Sequence, residues 1–241
     1  MSAPAELKQF QRELSMRLQH GEHVVLYGPL GSGKSTILAK LHRQICSVGM
    51  PCALWTATSS LDDITRAFAQ AYPHINTKAT RRGARSRLWL AADQNRGVLI
   101  FDHVTKITNA MVGYLRRLRG GVAGVLLCFD VEKESQRLKI RSRQLHHAFL
   151  RMPLASPQQL RRQFRRGCAG QPIPGISRTH ELQIIQAARG RTGWIDCCTR
   201  LIAHGRYWTG DSLHPTLLCI DTELALQQRA LDSPLIHCEP N

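Results

Sequence analysis

Gly28-Pro29-Leu30-Gly31-Ser32-Gly33-Lys34-Ser35 satisfies the pattern G-x-x-x-x-G-K-[S/T] at every fixed position. It stands between an apolar run, His23 to Tyr27, and a helical pattern from Lys34 to about Val48. A strand that passes through glycines straight into a helix turns consecutive backbone N–H groups, and the positive end of the helix dipole, toward one point. Such a point suits a phosphate chain. The spacing therefore predicts that Gly28 to Ser35, with Thr36 behind them, hold the phosphates of a nucleoside triphosphate, ATP with Mg²⁺. Lys34 is expected on the β- and γ-phosphates and the Ser35 hydroxyl on the metal.

Further apolar runs follow: Cys52 to Thr56, Val98 to Asp102, Gly124 to Asp130 and, more briefly, Phe149 to Leu154. Helical patterns lie between them. Uninterrupted runs of this kind suit strands buried on both faces, hence a parallel sheet between layers of helices. Leu7, Phe10, Leu14 and Leu18 recur at spacings of three and four and predict an amphipathic first helix. Beyond the fifth run, Pro157, Pro172 and Pro174 are expected to break the chain before a helical stretch from about Thr179 to Tyr207. A last helix is expected from Thr222 to Leu231. This divides the chain into an N-terminal helix (1–21), a core (22–155), a small helical domain (156–208) and a tail (209–241).

Thirty-three Lys and Arg stand against 17 Asp and Glu, a formal net charge of +16. So large an imbalance points to a polyanionic partner, nucleic acid before others. No apolar run reaches the roughly 20 residues that cross a bilayer, so no membrane partner is expected. Met1 to His20 carries charges throughout and lacks a signal peptide's apolar stretch, which places the expected location in the cytoplasm. The eight cysteines form no C-x-x-C pair, and His20, His42 and His103 do not stand at ligand spacing to them. They are expected to pack as small reduced thiols rather than to hold zinc.

Asp102 ends the third apolar run. A carboxylate there can hold Mg²⁺ beside the glycine loop, or can cap a turn. His103 follows it and can accept a proton, orient water, or stand at the surface without a catalytic duty.

The glycine loop, the Asp102 strand, the strand Val125 to Phe129, the basic stretch ending Arg141-Ser142-Arg143 and the helical appendage together resemble the AAA+ class of ATPases. Within that class the chain is similar to the DNA-binding regulators of transposition, the MuB, TnsC and TniB group, over roughly Leu7 to Gly205. The resemblance implies an α/β fold, the P-loop NTPase three-layer sandwich with a central parallel sheet, plus a small C-terminal helical lid. It implies an arginine that reaches a neighbouring subunit's γ-phosphate, Arg143 first and Arg141 second, so ATP would be read between subunits of a homo-oligomer, a ring or a helical filament. Many such ATPases carry Glu where His103 stands, so the resemblance implies slow or partner-stimulated hydrolysis. The polar sensor at the end of the fourth strand falls at Asp130. Gly193 takes the place of the lid's sensing arginine, for which Arg189 or Arg191 is the nearest substitute.

Between the second and third strands, Lys78, Arg81, Arg82, Arg85 and Arg87 stand with no acid among them. On a helix, Arg81 and Arg85 share a face, as do Lys78 and Arg82, while Leu88 and Leu90 would anchor it. This stretch is expected to track the backbone of double-stranded DNA, with Arg116, Arg117 and Arg119, and Arg161, Arg162, Arg165 and Arg166, as lesser clusters. The reading is an ATP-dependent DNA-binding regulator that recruits or activates a transposase or other recombination protein. A helicase-loader or adaptor ATPase and a P-loop small-molecule kinase are the rivals.

Overall fold

The computed structural model describes residues 3–58, 60–75, 81–105, 107–118, 123–131, 148–169, 175–204 and 206–232. In chain order the elements are α1 (Ala3–Gln19), β1 (His23–Gly28), α2 (Lys34–Ser47), β2 (Cys52–Thr56), α3 (Leu61–Ala71), α4 (Arg81–Gln94), β3 (Gly97–Asp102), α5 (Asn109–Leu118), β4 (Ala123–Asp130) and β5 (Ala148–Arg151). Then come α6 (Pro157–Cys168), α7 (Arg178–Ala188), α8 (Thr192–Ile202), β6 (Trp208–Thr209), β7 (Ser212–Leu213) and α9 (Pro215–Asp232). β1 to β5 form one sheet in the order β2-β3-β4-β1-β5, and every pairing in it is parallel. This is the three-layer α/β sandwich that the continuous apolar runs predict.

The alternation of side chains along each strand divides the interior in two. Val25, Ala53, Leu99, Phe101, Val125, Leu127 and Phe129 face one way and pack with residues of α3, α4 and α5, among them Ile64, Phe68, Leu88, Met111 and Leu115. Val24, Leu26, Val98, Ile100, Leu126 and Cys128 face the other way, against Leu14 and Leu18 of α1 and Ile37, Leu38, Leu41 and Ile45 of α2. Neither face of the sheet is left to water, which is why the strands read as unbroken apolar runs rather than alternating ones.

The chain forms two compact units. One contains Lys8–Gly28 and Lys34–Met152; the other contains Pro29–Gly33 and Pro153–Asp232. The second is helical and has its own core around Trp194, Phe164, Ile184, Ile195, Tyr207 and Leu218. Here the structure corrects three expectations. Pro157 breaks nothing: it occupies the first turn of α6, where a missing N–H costs no hydrogen bond, behind a capping box formed by Ser156 and Gln159. The predicted helix from Thr179 to Tyr207 is two helices, separated at Arg189 and Gly190, both with positive φ. The last helix begins at Pro215, well before Thr222, after the small antiparallel hairpin β6–β7. Within this unit Arg165 makes a two-pronged ion pair with the buried Glu181, at 2.7 and 3.0 Å.

Gly124 opens β4 where α1 passes so close that a Cβ would fall on the main-chain carbonyl of Leu18. Gly113, inside α5, has open space in the same direction. Gly124→Ala should therefore cost about 1–3 kcal/mol through overpacking. Gly113→Ala should gain up to about 1 kcal/mol from helix propensity. Urea unfolding midpoints of the two variants, moving in opposite directions from the parent, check this.

Candidate nucleotide-binding site

The glycine loop leaves β1 at Gly28 and enters α2 at Lys34. Gly31 and Gly33 have φ of +78° and +92°, a conformation that side chains rarely adopt. At Gly31 a Cβ would also stand 3.2 Å from the Trp194 nitrogen, because the Gly31 carbonyl accepts a hydrogen bond from Gly193 N–H at 2.8 Å. Gly193, the place of a sensing arginine in the resembled class, is thus a position where the loop passes main chain to main chain.

Lys34 is buried, 3% exposed, on the first turn of α2. Its Nζ donates to the Gly28 carbonyl at 2.9 Å and lies 2.7 Å from Asp130 Oδ1. β1 and β4 are paired in register with Gly28 opposite Asp130, and β2 and β3 with Thr56 opposite Asp102. Parallel pairing thus brings both carboxylates to the carboxyl ends of neighbouring strands. Asp102, also 3% exposed, accepts from the backbone N–H of His103 at 2.9 Å. His103 has a left-handed backbone, φ +49°. Its Nδ1 meets Asp130 Oδ2, and its Nε2 lies 3.5 Å from the Ser35 hydroxyl and 3.9 Å from Asp102 Oδ2.

The charges are coupled. The hydrogen bond to Asp130 raises the His103 pKa above its ordinary value; burial and the Lys34 charge oppose this, and Asp102 assists it. Burial works to raise the Asp130 pKa, but the His103 hydrogen bond and the Lys34 ammonium together hold it below the usual carboxylate range. Asp130 is therefore an anion at neutral pH, facing the Lys34 ammonium.

These residues fit a nucleoside triphosphate with Mg²⁺. A buried ammonium follows two glycines whose backbone only glycine holds easily, and the Ser35 hydroxyl and the Asp102 carboxylate offer the hard oxygen ligands that Mg²⁺ requires. At the carboxyl end of β2 the buried hydroxyls of Thr56 and Thr58 have no hydrogen-bond partner among the described residues. Sequence reasoning misses the network of Lys34, Asp130 and His103. Its one signal there is the pair of aspartates that end two apolar runs.

The remaining predicted residues are placed unevenly. Arg141 and Arg143 lie outside the described residues, as do Lys78 and Arg119. Arg81 and Arg82 begin α4. Arg85, four residues on, is turned inward: its guanidinium donates to Asp62 Oδ1 at 3.0 Å and Thr65 Oγ1 at 3.1 Å, tying α4 to α3. Arg87 is exposed. Leu88 is fully buried as expected, but Leu90 is 64% exposed and anchors nothing. Arg85 and Arg117 line a cleft with Ser86, Trp89 and Tyr114, in which the Trp89 Nε1 and the Tyr114 hydroxyl lack a partner among the described residues. In the helical unit Arg191 is buried and paired with Glu223, which also accepts from Trp194 Nε1 at 3.0 Å, while Arg189 is exposed.

A family model described as the AAA domain matches residues 16–138. No curated protein matches the sequence. Among solved structures the chain is similar to domain III of the Thermotoga maritima replication initiation protein DnaA, with 11% identity over 92% of this chain and 93% of that one and a TM-score of 0.54. It is similar to Cdc6p from Pyrobaculum aerophilum, with 16% identity over 84% and 61% and a TM-score of 0.58. A replication initiator DnaA bound to AMPPCP and single-stranded DNA aligns with 13% identity over 80% of this chain and 59% of that one, with a TM-score of 0.53. At these identities the likeness is one of fold.

A phosphate on Lys34 would have to compete with Asp130, so Asp130→Asn is expected to bind ATP about 10–100-fold more tightly, a charged hydrogen bond being worth about 1.5–3 kcal/mol. Lys34→Ala should lose binding altogether. Titration of both variants with a fluorescent ATP analogue checks this, and weaker binding by Asp130→Asn would contradict the competition.

Proposed function

Since the chain belongs to the AAA domain family, we propose that it is an ATP-dependent DNA-binding regulator that assembles on double-stranded DNA and recruits or activates a transposase or other recombination protein. The observation that carries the nucleotide half is Lys34, buried at the carboxyl edge of the parallel sheet between Gly28 and Asp130, with Asp102 on the next strand but one. Lys34 would hold the phosphates, and Ser35 with Asp102 would hold Mg²⁺. When bound, ATP supplies the phosphoanhydride whose presence or cleavage distinguishes two states of an assembly.

The residue after Asp102 is a histidine tied to Asp130, not a free carboxylate, so water is left without a strong base. Hydrolysis is accordingly slow or dependent on a partner, and binding rather than turnover sets assembly. Arg143, or Arg141 in its stead, would complete the site from a neighbouring subunit. We retain the division into an N-terminal helix, core, lid and tail as part of this reading.

The formal charge of +16 supports DNA as the partner. Lys78, Arg81, Arg82 and Arg87 are the proposed contacts. Arg85, which the sequence groups with them, is engaged by Asp62 and would act by holding the helix that carries the others. A second reading, an initiator or helicase-loader ATPase, is favoured by two of the structural neighbours, the DnaA replication initiators, one of them bound to single-stranded DNA. The two readings share the site and differ in the partner.

Electron microscopy with ATP, Mg²⁺ and long duplex should show oligomers on the DNA that are absent without ATP; monomers alone would sink the proposal. Replacing Lys78, Arg81, Arg82 and Arg87 together by Ala should weaken DNA binding and flatten its dependence on salt, by up to about 0.9 in the logarithmic slope for each phosphate that is no longer neutralised. An unchanged slope in a binding titration across salt concentrations removes this stretch from the interface.

A further inference from the structure

At the far end of α2 from the phosphate loop, His42, Cys46 and Cys52 bring their ligand atoms within 4.8 Å of one another. His42 and Cys46 are four residues apart and so lie on one face of the helix. Cys52 is the first residue of β2, reached through the turn in which Gly49 N–H donates to the Cys46 carbonyl at 3.0 Å. The expectation that His42 does not stand at ligand spacing to a cysteine fails here for a simple reason: H-x-x-x-C is a ligand spacing once it is wound into a helix.

We propose that His42, Cys46 and Cys52 form a binding site for a single Zn²⁺ ion, completed by a water molecule. Two thiolates and an imidazole are the borderline-soft donors that zinc takes in tetrahedral sites. At zinc bond lengths of about 2.3 Å to sulfur and about 2.0–2.1 Å to nitrogen, tetrahedral ligands stand about 3.6 Å apart, nitrogen to sulfur. His42 Nε2 and Cys46 Sγ are 3.6 Å apart. The separation is one that a tetrahedral ion accommodates, and it is also that of the hydrogen bond the two groups make with each other.

Its surroundings agree. The His42 ring is also hydrogen-bonded to the main chain of Cys52, which helps to fix its orientation. The Cys46 and Cys52 side chains are themselves hydrogen-bonded, which brings the two sulfurs together. Cys46 is exposed, so an ion and its water have a path from solvent. No other group of three His, Cys, Asp or Glu side chains among the described residues is disposed to hold an ion. Since α2 rises about 1.5 Å per residue, the site stands well away from Lys34, and it would clamp the end of α2 to the edge strand β2.

The full-length chain, reduced and stripped with a chelator, is titrated with Zn²⁺ against a chromophoric competitor and, separately, with Co²⁺ as a spectroscopic probe. One equivalent should bind, and Co²⁺ should give the visible bands of a tetrahedral site and a thiolate charge-transfer band. Cys46→Ser, Cys52→Ser and His42→Ala should each weaken binding by more than roughly tenfold, as even removing the outer partner of a metal ligand costs about 10–100-fold. Zn²⁺ should raise the melting temperature of the parent but not of Cys46→Ser, whose exposed position leaves the fold intact by circular dichroism. Lys34→Ala should keep the metal, which separates this site from the nucleotide site. Failure of the parent to bind, retention of metal by all three variants, or a Cys46–Cys52 disulfide persisting under reductant would overturn the assignment.

Discussion

Burial of the three central parallel strands, β1, β3 and β4, on both faces governs everything else in the larger unit. A strand covered above and below by helices has nowhere to place a polar side chain except at its ends, because an unpaired polar group inside such a layer is costly. Gly97 to Asp102 shows the constraint at its most complete: six consecutive residues are buried, and the only charge is the last. In parallel pairing all the carboxyl ends lie on one edge, so whatever charge the strands carry is gathered there. Asp102, Asp130 and the turn into Lys34 are consequences of that gathering, and the crevice outside the carboxyl ends of such sheets is where ligands bind.

The charges at that edge stabilise each other without any ligand. Lys34 would be an expensive ion to bury alone, and Asp130 and the Gly28 carbonyl compensate it. A phosphate brought to Lys34 would meet Asp130 as a competitor. His103 then takes up the other oxygen of Asp130, fixing the carboxylate from both sides. A glutamate in place of His103 would bring a third carboxylate beside Asp102 and Asp130, with like charges to separate; the histidine resolves that conflict and gives up a strong base.

The strands and the loop are legible in the sequence because they depend on local pattern. The apolar run Cys52 to Thr56 has the bounds of its strand, and the runs at Val98 and Gly124 each fall within one residue of theirs. Pairings between residues distant in sequence are not legible. Nothing near Arg85 announces Asp62, and nothing near Lys34 announces Asp130, since each pair meets only after helices or strands have packed. Leu90 misleads because a helix four turns long offers more apolar positions than its buried face can use. Pro157 misleads in a different way: proline marks a boundary, and whether it ends one element or begins another depends on the Ser156 cap beside it.

Glu181 lies beneath Arg165, and Glu223 is taken up by the buried Arg191. Each pair neutralises one acid and one base, so the formal charge of +16 falls to the rest of the chain. The helical unit thus projects its remaining arginines, Arg162 and Arg166 among them, toward solvent as a field that extends over a Debye length of about 8 Å at physiological ionic strength. The consequence is kinetic. For a surface of this charge, attraction to a polyanion would begin before contact, and its rate would rise as ionic strength falls.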